Sequence, residues 1–307
     1  MLARLLRLVL VVEIVGSTLL GWAVAGDRGA GAIVAVVAAG LVVVPTLLLA
    51  LAYAIRAGHA SPRPAGVGPI TLGALVHEWV VFLFGFAVVM PFPGAWMGSD
   101  AIGRLGSGRR PVLLVHGYMC NRGFWWWMRR QLRARGFAVA TIDLEGPFSD
   151  IESLADRLDG RIDALLAETG ADRVLLVTHS MGGLVARTVL GRGRSGRIAR
   201  FVTLGGPHHG TVTARLGLGR NARQMEPDNS WLAALNRVET TEVPTLTIWS
   251  YGDQIVAPQA TSRLAGAREV ALPGLGHMAL GFSSAVRDLV VADLSADGRD
   301  LTGAGRA

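Results

Sequence analysis

The chain has no lysine: all 30 of its basic side chains are arginine, set against 23 carboxylates for a formal net charge of +7. With Ala, Gly and Val abundant, that points to a compositional bias, not to a nucleic-acid signal. No run of arginines interleaved with aromatics forms a recognisable nucleic-acid module, so nucleic acid is excluded as an expected partner. Arg129, Arg130, Arg133 and Arg135 read as the solvated face of a helix before they read as contacts to anionic lipid. The one cysteine, Cys120, excludes an intramolecular disulfide and any multi-cysteine metal site. Internal repeats are absent too.

What the chain does have is apolar residues, 51% of 307, too many for an ordinary soluble enzyme. The excess lies at the front. Leu5 to Ala25 is broken only by Arg7 and Glu13, and Ala30 to Ile55 carries no charge. Each is long enough to cross a bilayer, and the short Gly26–Gly29 turn between them makes a membrane hairpin the expectation. Arg4 and Arg7 before an apolar run, with Ala23–Ala25 after it, would also suit a signal peptide, but a second uncharged span follows at once. A third stretch, Ile70 to Met90, holds His77 and Glu78. A carboxylate at mid-bilayer costs about 2.5–3.5 kcal/mol, whereas each large apolar residue returns about 0.3–0.6. The segment therefore reads as a third span or as an interfacial helix with Trp79 and Trp96 at headgroup level, and the side on which the rest of the chain lies stays open. A multi-pass membrane protein of the bacterial inner membrane is the expectation.

After a Gly- and Ser-containing linker, 94–109, the pattern changes. Val112–Val115, Ala138–Ile142, Val174–Thr178, Phe201–Leu204, Thr245–Trp249 and Glu269–Leu272 read as strands buried on both faces. Helical patterns lie between them, such as Ile151, Leu154, Ala155, Leu158, Ile162, Leu165 and Leu166, with Ser149 and Glu152 as a capping box. The alternation predicts an α/β fold over 110–293, a mainly parallel sheet with helices on both faces, preceded by a membrane segment over 1–93. A cap insertion is expected at about 208–243 and a tail at 294–307.

Strand Val174–Thr178 runs through the heptad "VTHSMGG" into a helix, which puts Ser180 on a tight turn. The G-x-S-x-G elbow places a strained nucleophile there and needs small residues two positions either side. Gly182 is present, whereas Thr178 replaces the first glycine. The elbow aims the Met181 N–H at a substrate carbonyl oxygen, and Gly117 in the loop after Val115 lets the Tyr118 amide face the same point, forming an oxyanion hole. A serine needs a base and a group to orient it. His277 follows the last strand and Asp253 the one before, giving the chain order Ser180, Asp253, His277. Asp143 precedes the nucleophile and is the weaker candidate acid. His179 reads as a packed turn residue and His116 as a structural one. His208 and His209 could line the site.

The segments "VLLVHGYMCNRGFW", "VTHSMGGLVAR", "VTLGGPHHGT", "WSYGDQIVAP" and "LPGLGHMAL" resemble those of bacterial lipases and esterases of the α/β-hydrolase superfamily, particularly triacylglycerol-lipase-like members. The resemblance spans about Arg110 to Asp293. It implies Ser180 as nucleophile, Asp253 as acid, His277 as base, and the Tyr118 and Met181 amides as oxyanion hole. Some such lipases hold a structural calcium, but no acidic cluster here calls for one, and no cofactor or metal is expected. Trp125, Trp126 and Trp127 cannot share one core face; Trp125 is the candidate to line an acyl pocket. A lipid or other acyl ester that partitions into the membrane is the expected substrate. Whether water or an alcohol accepts the acyl group is open, so an acyltransferase is an alternative, as is a hydrolase fold kept as a non-catalytic membrane module.

Overall fold

The computed structural model describes residues 1–25, 29–238 and 243–296. Most of the turn expected at Gly26–Gly29, residues 239–242 of the insertion and the tail from 297 lie outside the described residues.

The two leading apolar runs form α1 (Leu2–Ala25) and α2 (Ala30–His59), which pack along each other. Small residues let them approach: Ser17 closes on Gly40, and Ile33 on Gly21. The open ends of this pair meet the rest of the chain. At the start of α1, Leu2 and Leu6 are buried in the main core. Past the middle of α2, Arg56 donates to the Tyr251 carbonyl, and Ser61 beyond the helix exchanges hydrogen bonds with Gln259 and Ala260. The third apolar stretch is α3 (Leu72–Phe84), capped by Thr71 and continued by one π turn, Gly85–Val89. It runs along the rest of the fold. Ile70 at its start lies beside Gly274, Glu78 at its middle is fully buried, and the Met90 carbonyl at its end accepts from Asn121 Nδ2 at 2.7 Å. Leu72, Val76 and Val80 form an exposed apolar stripe on its other face. The short α4 (Pro93–Met97) then leads toward the sheet.

From Val112 onward strands and helices alternate: β1 (Val112–Val115), α5 (Trp126–Arg133), β2 (Val139–Ile142), α6 (Ile151–Thr169), β3 (Val174–His179), α7 (Met181–Val189) and β4 (Ile198–Leu204). The insertion carries α8 (Arg220–Gln224) and α9 (Ser230–Leu235), and β5 (Thr245–Ser250), β6 (Arg268–Leu272) and α10 (Ser284–Ser295) follow. All six strands are parallel in the order β2-β1-β3-β4-β5-β6. Side chains alternate across the sheet as the pleat requires. Val112, Leu114 and Val177 face a core with Phe124, Trp125 and Val290, while Leu113, Val115 and Leu176 face one with Leu158, Ile162 and Leu184. That is the doubly covered sheet the unalternating strands predict for β1 to β5; β6, at the sheet edge, is exposed or half-buried along its length, so Glu269–Leu272 is not buried on both faces.

One local expectation is corrected. Helix α6 is capped by Asp150, whose carboxylate accepts from the Ser153 N–H at 2.8 Å and from its hydroxyl. Ile151 is the first helical residue, so the box Ser149–Glu152 is one residue out of register; Glu152 instead accepts from Gln224 of α8.

Candidate active site

Strand order reverses between β1 and β3, so the loops leaving their carboxyl ends part and a crevice opens between them. Ser180 stands there between β3 and α7 with φ 56° and ψ −129°, a backbone that a non-glycine residue adopts only when its surroundings force it. Its N–H donates to the Leu204 carbonyl and its C=O accepts from Gly183 N, both at 2.9 Å. The residue before β3 turns, Thr178, is fully buried and donates to the Val202 carbonyl at 3.3 Å. Gly183 in the first turn of α7 is confined by Thr203 Oγ1 and His208, which a Cβ there would meet at 2.7 and 3.1 Å.

Gly117 is required by close approach. A Cβ there would lie 2.7 Å from Ser180 Cβ and 3.0 Å from the His179 carbonyl oxygen. Gly182 is equally confined, by the carbonyl oxygens of Val115 and His116 at 2.8 Å. The two loops are thereby pressed together, with the Met181 amide in the first turn of α7, where helix N–H groups lack helical partners. His116 shapes the other loop. Its Nε2 accepts from Leu144 N at 3.0 Å, so Nδ1 carries the proton and donates to the Gly117 carbonyl at 2.9 Å. Burial lowers its pKa, which keeps it neutral for this task. Met119 then turns with φ 52°, and the Tyr118 hydroxyl bonds both the N–H and C=O of Leu218 in the insertion, at 2.8 Å each.

Across the crevice Asp253 Oδ2 and His277 Nδ1 are 2.7 Å apart, both residues buried. The other oxygen of Asp253 accepts from the Ile255 and Val256 N–H groups, each at 2.8 Å, which fixes the carboxylate plane. Burial pushes the His277 pKa down, but the charge and hydrogen bond of Asp253, joined by the charge of Glu78, outweigh it and raise it above the usual imidazole value. His179 packs between Phe124 and His277, ring centroids 4.3 and 4.5 Å away, and bonds the His277 carbonyl at 3.0 Å. Asp143 is elsewhere, accepting from Arg122 N and 3.9 Å from His116.

Ser180 and His277 line one cavity of about 390 Å³ whose walls are almost wholly apolar. Three expected lining residues are not among those around it. Trp125 is fully buried against Phe124 in the core. His208 is fully buried against Gly183 and Gly206, and burial holds its pKa well below the ordinary value. His209 turns outward to Asn236. The walls come instead from the insertion, through Ala214, Leu216 and Met225, and from the leading apolar helices, through Leu48 and Leu51 of α2 and Phe82 of α3. Periodicity marks those helices as apolar but cannot separate a lipid-facing leucine from one that faces a cavity. Among the described residues no group of three or more His, Cys, Asp or Glu could hold a metal.

Residues 110–226 match the alpha/beta hydrolase fold family. Two curated relatives are triacylglycerol lipases, from Pseudarthrobacter phenanthrenivorans and from Burkholderia plantarii. Each is 33% identical over 114 residues, 34% of this chain, and those residues make up 35% and 32% of the respective relatives. The chain thus spans about a third of the length of the curated relatives it matches. Among solved structures, the mature form of Bacillus licheniformis lipase BlEst2 superposes with a TM-score of 0.56 at 17% identity, over 62% of this chain and 94% of that one. With its parallel sheet, strained serine turn and buried Asp253–His277 pair, the chain from Arg110 onward is an α/β-hydrolase fold carried behind three long apolar helices.

Proposed function

We propose that this protein is a membrane-anchored serine hydrolase that cleaves carboxylic esters, lipids or related acyl esters, through an acyl-enzyme on Ser180. The observation that carries the reading is the buried Asp253–His277 hydrogen bond beside the cavity that Ser180 also lines. With Nδ1–H engaged by Asp253, His277 Nε2 is left to act as base.

In the first half-reaction His277 takes the Ser180 hydroxyl proton as Oγ bonds to the ester carbonyl carbon. The Tyr118 and Met181 N–H groups hold the oxyanion, each such donor worth about 2.7–4 kcal/mol in a transition state. The C–O bond to the alcohol then breaks, and the alcohol leaves with the proton from His277. Water attacks the acyl-enzyme by the same route, giving its proton to His277, and release of the acid returns Oγ–H to Ser180. The apolar cavity favours an acyl chain over a charged group, in keeping with the two relatives being triacylglycerol lipases. The α1/α2 pair, whose outer faces expose Val11, Leu19, Val43 and Leu47, supplies the anchor.

Purified in detergent, the protein is expected to cleave p-nitrophenyl butyrate and to be stopped by a fluorophosphonate that becomes attached to Ser180, identified by peptide mass. A folded preparation that neither cleaves the ester nor takes up the probe overturns the reading.

A further inference from the structure

The cavity that Ser180 lines is walled in part by surface residues. Leu48 and Leu51 of α2 and Leu216 of the insertion line it, and all three are more than half exposed, at 57%, 52% and 66%. Residues that are both walls and surface mark a mouth, and this one has a membrane-length helix for one side. With 1.5 Å of rise per residue, Ile55 and Leu48 lie about 6 and about 17 Å along α2 from its docked end at His59. Arg56 and Arg63 bond the Tyr251 carbonyl there, as arginines at headgroup level would. Beyond that level begins hydrocarbon, with a half-thickness of about 15 Å. Leu218, two residues on from Leu216, is exposed as well.

We infer that the substrate is a long-chain ester resident in the bilayer, whose acyl chain enters sideways between α2 and the Leu216 segment and reaches Ser180 without passing through water. This rests on the hydrolase reading and extends it. The test uses full-length protein in vesicles, with a fluorogenic long-chain glycerol ester placed either in the enzyme's own bilayer or in separate vesicles, and soluble p-nitrophenyl butyrate alongside. Ester in the enzyme's own bilayer should be cleaved and ester in separate vesicles spared. Leu51→Trp, which keeps α2 apolar but fills the mouth, should lower the ratio of bilayer-ester to butyrate cleavage ten-fold or more, whereas Val43→Trp, off the cavity, should leave it unchanged. Equal cleavage in both vesicle populations, or an unmoved ratio in Leu51→Trp, overturns lateral entry while butyrate cleavage stands. Loss of all cleavage in the wild type overturns the hydrolase reading instead.

A second observation stands apart from the cavity mouth. Glu78 of α3 has no exposed surface, and its Oε1 accepts from Gln254 Nε2 at 2.6 Å and Met278 N at 3.0 Å while Oε2 accepts from Ala279 N at 2.8 Å. Gln254 completes a loop by accepting from His277 N at 3.0 Å. Gly276 leaves the space the carboxylate fills. Three donors converging on an acceptor-only group are what a carboxylate satisfies and an amide cannot. We infer that Glu78 is a positioning residue for His277, so that a helix of the apolar leading segment sets the orientation of the base.

The charged and titratable groups around His277 are Asp253, Glu78 and His179, with Tyr53 and Arg56 of α2 acting on Asp253 and Tyr53 also on Glu78. Ester cleavage needs His277 neutral, so activity is lost as pH falls through its raised pKa. Removing the Glu78 charge lowers that pKa and moves the acid limb of kcat/KM to lower pH. For Glu78→Gln the limb is expected to move to lower pH, with a ten-fold or greater fall in kcat and KM within a factor of about two. Glu78→Asp keeps the charge and should leave the limb closer to wild type than Glu78→Gln does. Should Glu78→Gln lower only thermal stability, with the limb and kcat of the folded fraction unchanged, Glu78 is a structural residue and the inference fails.

Discussion

Ser180→Ala is expected to lower kcat for p-nitrophenyl butyrate about a million-fold, the scale seen when a triad serine is removed, and to leave KM within a few-fold. The reason is that the other hydroxyls lining the cavity are engaged: those of Thr211 and Thr213 donate to the Ile255 carbonyl and that of Tyr118 to the Leu218 carbonyl. Cys120 also lines it, but burial pushes its thiol up to about 12, which leaves almost no thiolate at neutral pH. The residual rate would be that of the oxyanion amides and binding alone. Ser180→Gly separates chemistry from folding. At φ 56° and ψ −129° a side chain is strained and glycine is not, so this variant should be equally inactive yet more stable by about 1–3 kcal/mol. Thermal unfolding of both variants beside the wild type reads this directly. Residual ester cleavage at a tenth of wild type in either variant would remove Ser180 from the mechanism.

Asp253→Asn is expected to cost about ten-thousand-fold in kcat, for a reason particular to this site. Asp253 Oδ1 is held by the Ile255 and Val256 N–H groups. An asparagine must keep its carbonyl oxygen on those two donors, which turns its NH2 toward His277 Nδ1. That nitrogen must then accept, the imidazole proton moves to Nε2, and the base facing Ser180 is gone. Because the side chain keeps its shape, melting temperature should change little. A loss below about a hundred-fold would mean that Asp253 does not set the tautomer.

The strands and the order of Ser180, Asp253 and His277 were legible because each is a short apolar run ended by a chemically distinctive residue. The turn at Ser180 was legible despite Thr178, since Gly182 and Gly183 follow the serine and both positions are too confined for a Cβ. The cavity walls were not. Trp125, His208 and His209 sit next to motif residues in sequence, whereas in the structure Trp125 and His208 are fully buried and His209 bonds Asn236. The actual lining includes α2, more than a hundred residues before Ser180, and an apolar helix reads alike whether it faces lipid or a cavity. Glu78 was visible as a charge whose cost in a bilayer nearly balances the gain from the apolar residues around it. Its partner could not be read, because the donors that satisfy it are backbone N–H groups at Met278 and Ala279 and the amide of Gln254.

Glu78 and the N–H of Met278 are 200 residues apart in the chain, and this separation sets an order of synthesis. Domains form from the amino end as the ribosome proceeds. Helices α1 to α3 are made before the serine turn, and the serine turn before the histidine loop. On the proposed reading, a nascent chain therefore carries its nucleophile long before it carries a base, and the base is held in place by a carboxylate delivered with the anchor. On that reading the chain stays inert as a hydrolase until its histidine loop has reached Glu78.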